Sequence, residues 1–166
     1  MVHVRIASLA MDPTSTQPVI VLKPLSEAPG HGRLLPIWIG HPEATAILLA
    51  LEGAQPPRPQ THDLMKGLLE SLEALVERVE INRVESGTFF ATILVRANGR
   101  TMAIDARPSD SIALAIRMGA PIFVAEEVLD SAAVPDEMTT PQEDEETQLA
   151  AFREFLDAVD PEDFQS

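Results

Sequence analysis

Residues Ile112-Ala113-Leu114-Ala115-Ile116 present apolar side chains in every direction around a helix, so that helix belongs inside a domain rather than on its surface. Its start is polar. Pro108 suits a first helical turn, because the amide it lacks would have no partner there. Ser109 and Asp110 can bond the free amides of that turn, and their polarity suits the positive end of the helix dipole. Gly119 and Pro121 then stop the helix, which is expected over 108–118. A polar start held by a buried body is a natural place for a rigid site.

The strands before this helix fix where its polar residues fall. Asn98-Gly99 is a strong two-residue turn signal between alternating segments. Its register sets Val95 against Met102, Ile93 against Ile104 and Thr92 against Asp105. Met102 and Ile104 then share one face, and Asp105 with Arg107 the other. Val79–Glu85 and Thr88–Arg96 read as a hairpin turned at Ser86-Gly87. Strands are expected over 2–9, 18–23 and 34–39, with a turn at Asp12-Pro13-Thr14-Ser15, and a short last strand over 121–124.

Two more helices complete the pattern. Pro42 and Glu43 open one over 42–52, with Ala44, Ile47, Leu48 and Leu51 as its apolar stripe. After the stiff Pro56-Pro57-Arg58-Pro59 segment, Thr61 is a plausible N-cap for a helix over 62–77, where Leu64, Leu68, Leu72, Leu75 and Val76 recur at helical spacing. Trp38, in an apolar strand, reads as core. The fold class is α+β: a single compact domain over 1–130 with a mixed, largely antiparallel sheet and three main helices. An acidic linker over 131–147 and an amphipathic C-terminal helix over 148–166 follow, the latter with Leu149, Phe152, Phe155, Leu156 and Val159 on one face.

The net charge of −14 belongs to this tail. Residues 1–125 hold twelve acids and eleven bases, whereas residues 126–166 hold fourteen acids and Arg153 alone. A nearly neutral domain gives weak electrostatic support for nucleic acid as a partner, because such proteins usually show a basic face. The absence of cysteine excludes disulfides and thiolate chemistry and fits a reducing, cytoplasmic setting. No apolar run reaches the roughly 20 residues that span a membrane, and the alternating N-terminus reads as a strand rather than a signal peptide. Short strands with few edge charges favour a homodimer.

The polar residues admit two readings each. His62 and Asp63 stand at a helix start, where His62 could act as general base and Asp63 could bind a cation or orient the ring. Alternatively, Thr61 and Asp63 only cap the helix. Arg107 could hold phosphate by its bidentate fork while Asp105 and Asp110 hold Mg²⁺ or Mn²⁺. Alternatively, these three make an ion pair that fastens strand to helix. Arg58 lacks a local partner and is an anion-contact candidate, whereas Glu43 reads as a favourable helix-start charge. The histidines lack zinc spacing. No Gly-rich phosphate loop or nucleophile elbow is present, so no nucleotide cofactor is expected.

Ala106-Arg107-Pro108-Ser109-Asp110 with Ile112-Ala113-Leu114-Ala115 resembles the signature of the bifunctional nuclease domain family, which has bacterial members. Leu35-Pro36-Ile37-Trp38-Ile39-Gly40 with Glu43-Ala44, and Arg58-Pro59-Gln60-Thr61-His62-Asp63-Leu64, agree with it. The likeness runs over roughly residues 2–130. It implies a compact α+β domain and, for some members, cleavage of both DNA and RNA. Two functions are therefore compatible with the chain. The first is a metal-dependent nuclease with His62, Asp63 and Asp110 as catalytic groups, Arg58 and Arg107 on phosphate, and Asp63, Asp105 and Asp110 as metal ligands. The second is a non-catalytic regulatory or scaffold protein that binds a protein partner.

Overall fold

The computed structural model describes residues 1–136. Eight strands, β1 (Val2–Met11), β2 (Pro18–Pro24), β3 (Arg33–Trp38), β4 (Leu75–Glu85), β5 (Thr88–Ala97), β6 (Arg100–Ala106), β7 (Ile122–Val124) and β8 (Val134–Pro135), form one sheet in the order β6-β5-β4-β7-β1-β2-β3-β8. Every pairing is antiparallel except β4 with β7. The sheet is mixed and largely antiparallel, as expected. Four helices accompany it: α1 (His41–Leu51), α2 (Thr61–Ser71), α3 (Pro108–Met118) and α4 (Glu126–Ala132). α4 is additional to the three main helices expected of the domain.

The Asn98-Gly99 turn holds both residues at positive φ, 50° and 72°, as the tight hairpin turn requires. The register is the one read from it: Val95 pairs with Met102, Ile93 with Ile104 and Thr92 with Asp105. On β5, Ile93 and Val95 are buried, yet Met102 and Ile104 of β6 are about half exposed. The apolar face of the sheet thus runs out past its cover at this edge.

The helix over 108–118 falls where expected. Ile112, Ala113, Leu114 and Ala115 are buried, α3 packs against α1, α2, β4 and β5, and Gly119 ends it in the left-handed conformation. Ile20, Leu22, Leu35, Ile47, Val79 and Ile81 complete a core that joins both halves of the sheet.

Three expectations are corrected. The helix over 62–77 stops at Ser71, because Glu73 takes a left-handed φ of 52° and Ala74 N–H donates to the Leu69 carbonyl. Leu75 and Val76 instead begin β4. Trp38 is 51% exposed, with its indole N–H donating to Asp12 Oδ2 at 3.0 Å. That bond, ahead of those from the Thr14 amide and Ser15, lowers the Asp12 carboxyl to about 2. Residues 131–136, in the stretch that composition reads as linker, are carried into the fold. β8 pairs with β3, and Asp136 is buried against the ammonium of Lys23, itself buried on β2. Asp136 also accepts from the Gly30 amide, and Lys23 donates to the His31 carbonyl. The acidic segment from 137 on and the amphipathic helix over 148–166 lie outside the described residues.

Candidate functional site

The starts of α1, α2 and α3 converge, and each comes from one of the three sequence motifs. At α3, Arg107 is the N-cap, in extended conformation, with Pro108 in the first turn. No side-chain cap forms there. Asp110 turns its carboxylate away from the amides: Oδ2 accepts from Arg107 Nε at 2.7 Å, and Oδ1 meets His62 Nε2 of α2 at 3.0 Å. The other arm of the Arg107 fork donates to Glu43 Oε1 of α1 at 2.8 Å. One guanidinium therefore joins two helix starts, and one carboxylate joins a third.

Space for Glu43 is made by Gly40. A Cβ at residue 40 would fall 2.2 Å from Glu43 Oε2, so the missing side chain lets the carboxylate fold back over its own N-cap. Sequence reading gave Glu43 a local role at the helix start. Its contact with Arg107 spans 64 positions, and no short-range pattern reports it.

Burial is uneven across the cluster. The His62 side chain is 8% exposed, that of Asp110 26% and that of Arg107 65%. Burial pushes the Asp110 carboxyl up, but the hydrogen bonds from Arg107 and His62 together outweigh it and hold the group below its ordinary value. The same contacts, Asp110 first and Glu43 second, raise Arg107 further above its already high value. The resting cluster is an ionised carboxylate between a ring nitrogen and a solvent-facing cation. Such a cation can exchange a carboxylate for a phosphate, since both fit its fork.

Asp63 takes another course. Its Oδ1 accepts from Arg117 Nε at 2.7 Å and its Oδ2 from the Gln60 amide at 2.9 Å. The Arg117 bond, then that from Gln60, lowers the carboxyl. Gln60, one residue earlier than Thr61, is the N-cap of α2. Arg117, nearly buried, also donates to the Ala46 and Ala113 carbonyls, at 3.0 and 2.9 Å. It thereby ties α1, α2 and α3 together, a role sequence reading did not assign to it.

Asp105 is exposed on β6 and stands outside the network. Among the described residues no group of three or more His, Asp or Glu side chains is arranged to hold a metal ion, so Asp63, Asp105 and Asp110 do not form a common set of ligands. Arg58 is exposed in the segment before α2 and joins no ion pair among the described residues. No helix among them is long and apolar enough to cross a membrane.

Comparison with known proteins adds three findings. The family model of the bifunctional nuclease domain matches residues 24–137. An uncharacterised protein of Mycobacterium tuberculosis is 42% identical over 173 residues, covering 100% of this chain and 99% of that protein. Bifunctional nuclease 1 of Arabidopsis thaliana is 29% identical over 110 residues, 64% of this chain but 33% of the plant protein, and bifunctional nuclease 1 of Oryza sativa subsp. japonica is 26% identical over 117 residues, 69% and 35% respectively.

Proposed function

We propose, from the premise that this chain belongs to the bifunctional nuclease domain family, that it is a nuclease cleaving phosphodiesters of DNA, RNA or both. The observation that carries the reading is the meeting of His62, Asp110, Arg107 and Glu43. In this reading Arg107, the exposed member, receives a backbone phosphate by its planar fork, and Arg58 makes a second contact further along the strand. When phosphate takes the fork, Asp110 keeps His62. It orients the imidazole and stabilises its charged form, as a carboxylate beside a catalytic histidine does. Hydrolysis adds water across a P–O bond, with one water proton taken by the base and one proton delivered to the leaving oxygen. His62 with Asp110 is the pair suited to move it. Asp63 holds α2 in place through Arg117 and is a positioning residue.

Asp63 and Asp110 each pair with a different arginine and Asp105 stands apart, which gives no support to an ion shared by all three. A Mg²⁺ or Mn²⁺ ion would need only one of these carboxylates, because Mg²⁺ often takes one or two and completes its shell with water and phosphate. Labelled single- and double-stranded DNA and RNA, incubated with highly purified protein in EDTA, Mg²⁺ or Mn²⁺, test the function and the metal together. Cleavage that disappears in Arg107→Ala and His62→Gln is the expected result. Cleavage that persists in both removes this site from the reaction.

One observation favours the second reading, a non-catalytic scaffold. Asp63 and Asp110 both pair with arginines in the resting site, and His62 is nearly buried. Absence of cleavage under every metal condition, with the fold intact, would select it.

A further inference from the structure

α2 leaves its most apolar side uncovered. Leu64, Leu68 and Leu72, the last at its C-cap, are 56%, 56% and 69% exposed, and Leu75 just beyond is 55% exposed. At about 100° per residue the first three fall within an arc of about 80°. Met65 and Leu69 point to the core from the neighbouring arc. The side holding these leucines also carries Gly67 and Ser71, and no charge until Glu70 and Asp63 at its margin. Soluble single chains rarely expose contiguous apolar patches beyond a few hundred Å². Charge depletion around large apolar side chains is the mark of an interface centre.

We propose that this face of α2 joins two copies of the chain, with the two helices antiparallel about a two-fold axis at Leu68. The spacing is symmetric about that residue: Leu64 of one copy lies level with Leu72 of the other, and Leu68 meets its own counterpart. A two-fold interface needs this self-complementarity.

Gly67 supports close approach of the second helix. A glycine inside a helix costs about 1 kcal/mol relative to alanine, and packing within the chain does not require one here, since a Cβ at 67 would meet nothing within 4 Å. It brings bare backbone to the side of the stripe. The leucines supply the apolar centre that such an interface needs.

Other occupants fit less well. The segment beyond residue 136 holds Leu149, Phe152 and Phe155 but carries ten acids and Arg153, and the charged flank of α2 holds Glu70 and Glu73 against Lys66. The sheet edges do not compete. β8 is two residues long and ends in Pro135, and β6 carries Arg100 and Asp105, devices that discourage strand pairing.

α2 carries His62 on its inner side, so the pairing would also brace the candidate site from behind. The test does not depend on nuclease activity. Light scattering of the full chain at micromolar concentration should give a mass of two chains or a multiple of two. Leu68→Glu should lower that mass at least twofold while the circular dichroism spectrum and a cooperative melt are retained. Because the chain has no cysteine, Leu68→Cys supplies a unique thiol. A short bismaleimide should crosslink it into dimers, while the same reagent on Glu85→Cys should not. Removing residues 137–166 should leave the mass at an even number of chains. A monomeric wild type, an unaltered mass for Leu68→Glu, no crosslinking of Leu68→Cys, or dissociation on removal of 137–166 alone would each overturn the proposal.

Discussion

Arg117 Nε donates to Asp63 Oδ1 over 2.7 Å, joining the last turn of α3 to the first turn of α2. The partner that organises the His62–Asp63 helix start thus comes from 54 residues away. Capping explains Asp63 only in part, through the Gln60 amide.

Arg117→Met should be among the more damaging single changes. It strands Asp63 and leaves the Ala46 and Ala113 carbonyls without their donor. Breaking one partner of a largely buried ion pair costs about 3 kcal/mol, which urea titration would read directly. Arg117→Lys should recover only part of it, because one ammonium cannot reproduce the spread of the fork.

Asp110→Asn should act differently. Arg107 is mostly solvent-facing, so losing its partner there should cost about 1 kcal/mol or less. Cleavage, however, should fall about 100-fold if the His62–Asp110 pair handles the proton. Melting and activity measured on the same samples separate the two effects. A large loss of stability with unchanged cleavage would make the contact structural only.

Glu43→Gln frees one arm of Arg107. An anion-binding Arg107 should then bind oligonucleotide more tightly, by a few-fold in KM, with kcat little changed. Competition by added salt should remain, since the contact is electrostatic.

Acid should weaken the domain through Asp63 and Asp110. Both carboxyls are held below their ordinary value in the folded chain. Their contribution is therefore complete above the unfolded value near pH 4 and is lost as pH falls through the lower folded values. Urea midpoints should be flat near neutrality and drop below about pH 4. Asp63→Asn should start from a lower midpoint and show a shallower drop.

Legibility in the sequence followed the range of the forces. The β5–β6 register was readable because a two-residue turn fixes it locally, and α3 because its apolar body and its Pro and Gly boundaries lie within one short segment. The end of α2 is hidden in the sequence because Leu72, Leu75 and Val76 keep helical spacing across a chain reversal. The left-handed Glu73 that makes the reversal has no side-chain signature of the glycine kind. The apolar strand around Trp38 points to the core, while its position at the strand end lets the indole reach Asp12. The motifs contain His62, Asp110, Arg107 and Glu43, which meet, but also Arg58, which stands apart. That Arg107 grips Glu43, and that Asp63 answers to Arg117 and not to Asp110, follows from packing between distant segments.

The three residues of β7 have a mechanical consequence. On one side of them lies the antiparallel run β1-β2-β3-β8, and on the other the run β4-β5-β6. Each run can form from near neighbours in sequence apart from β8, but no strand of one pairs with a strand of the other except through Ile122–Val124. The strand also accepts the Val79 amide at Pro121 and returns the Ala125 amide to Ile81. It works as a keystone: the arch cannot close until α3 has delivered it, and cannot open in part without releasing it. In hydrogen exchange, the amides of Val79, Phe123 and Ala125 should therefore open only with the whole domain, while those of the β5–β6 turn exchange early.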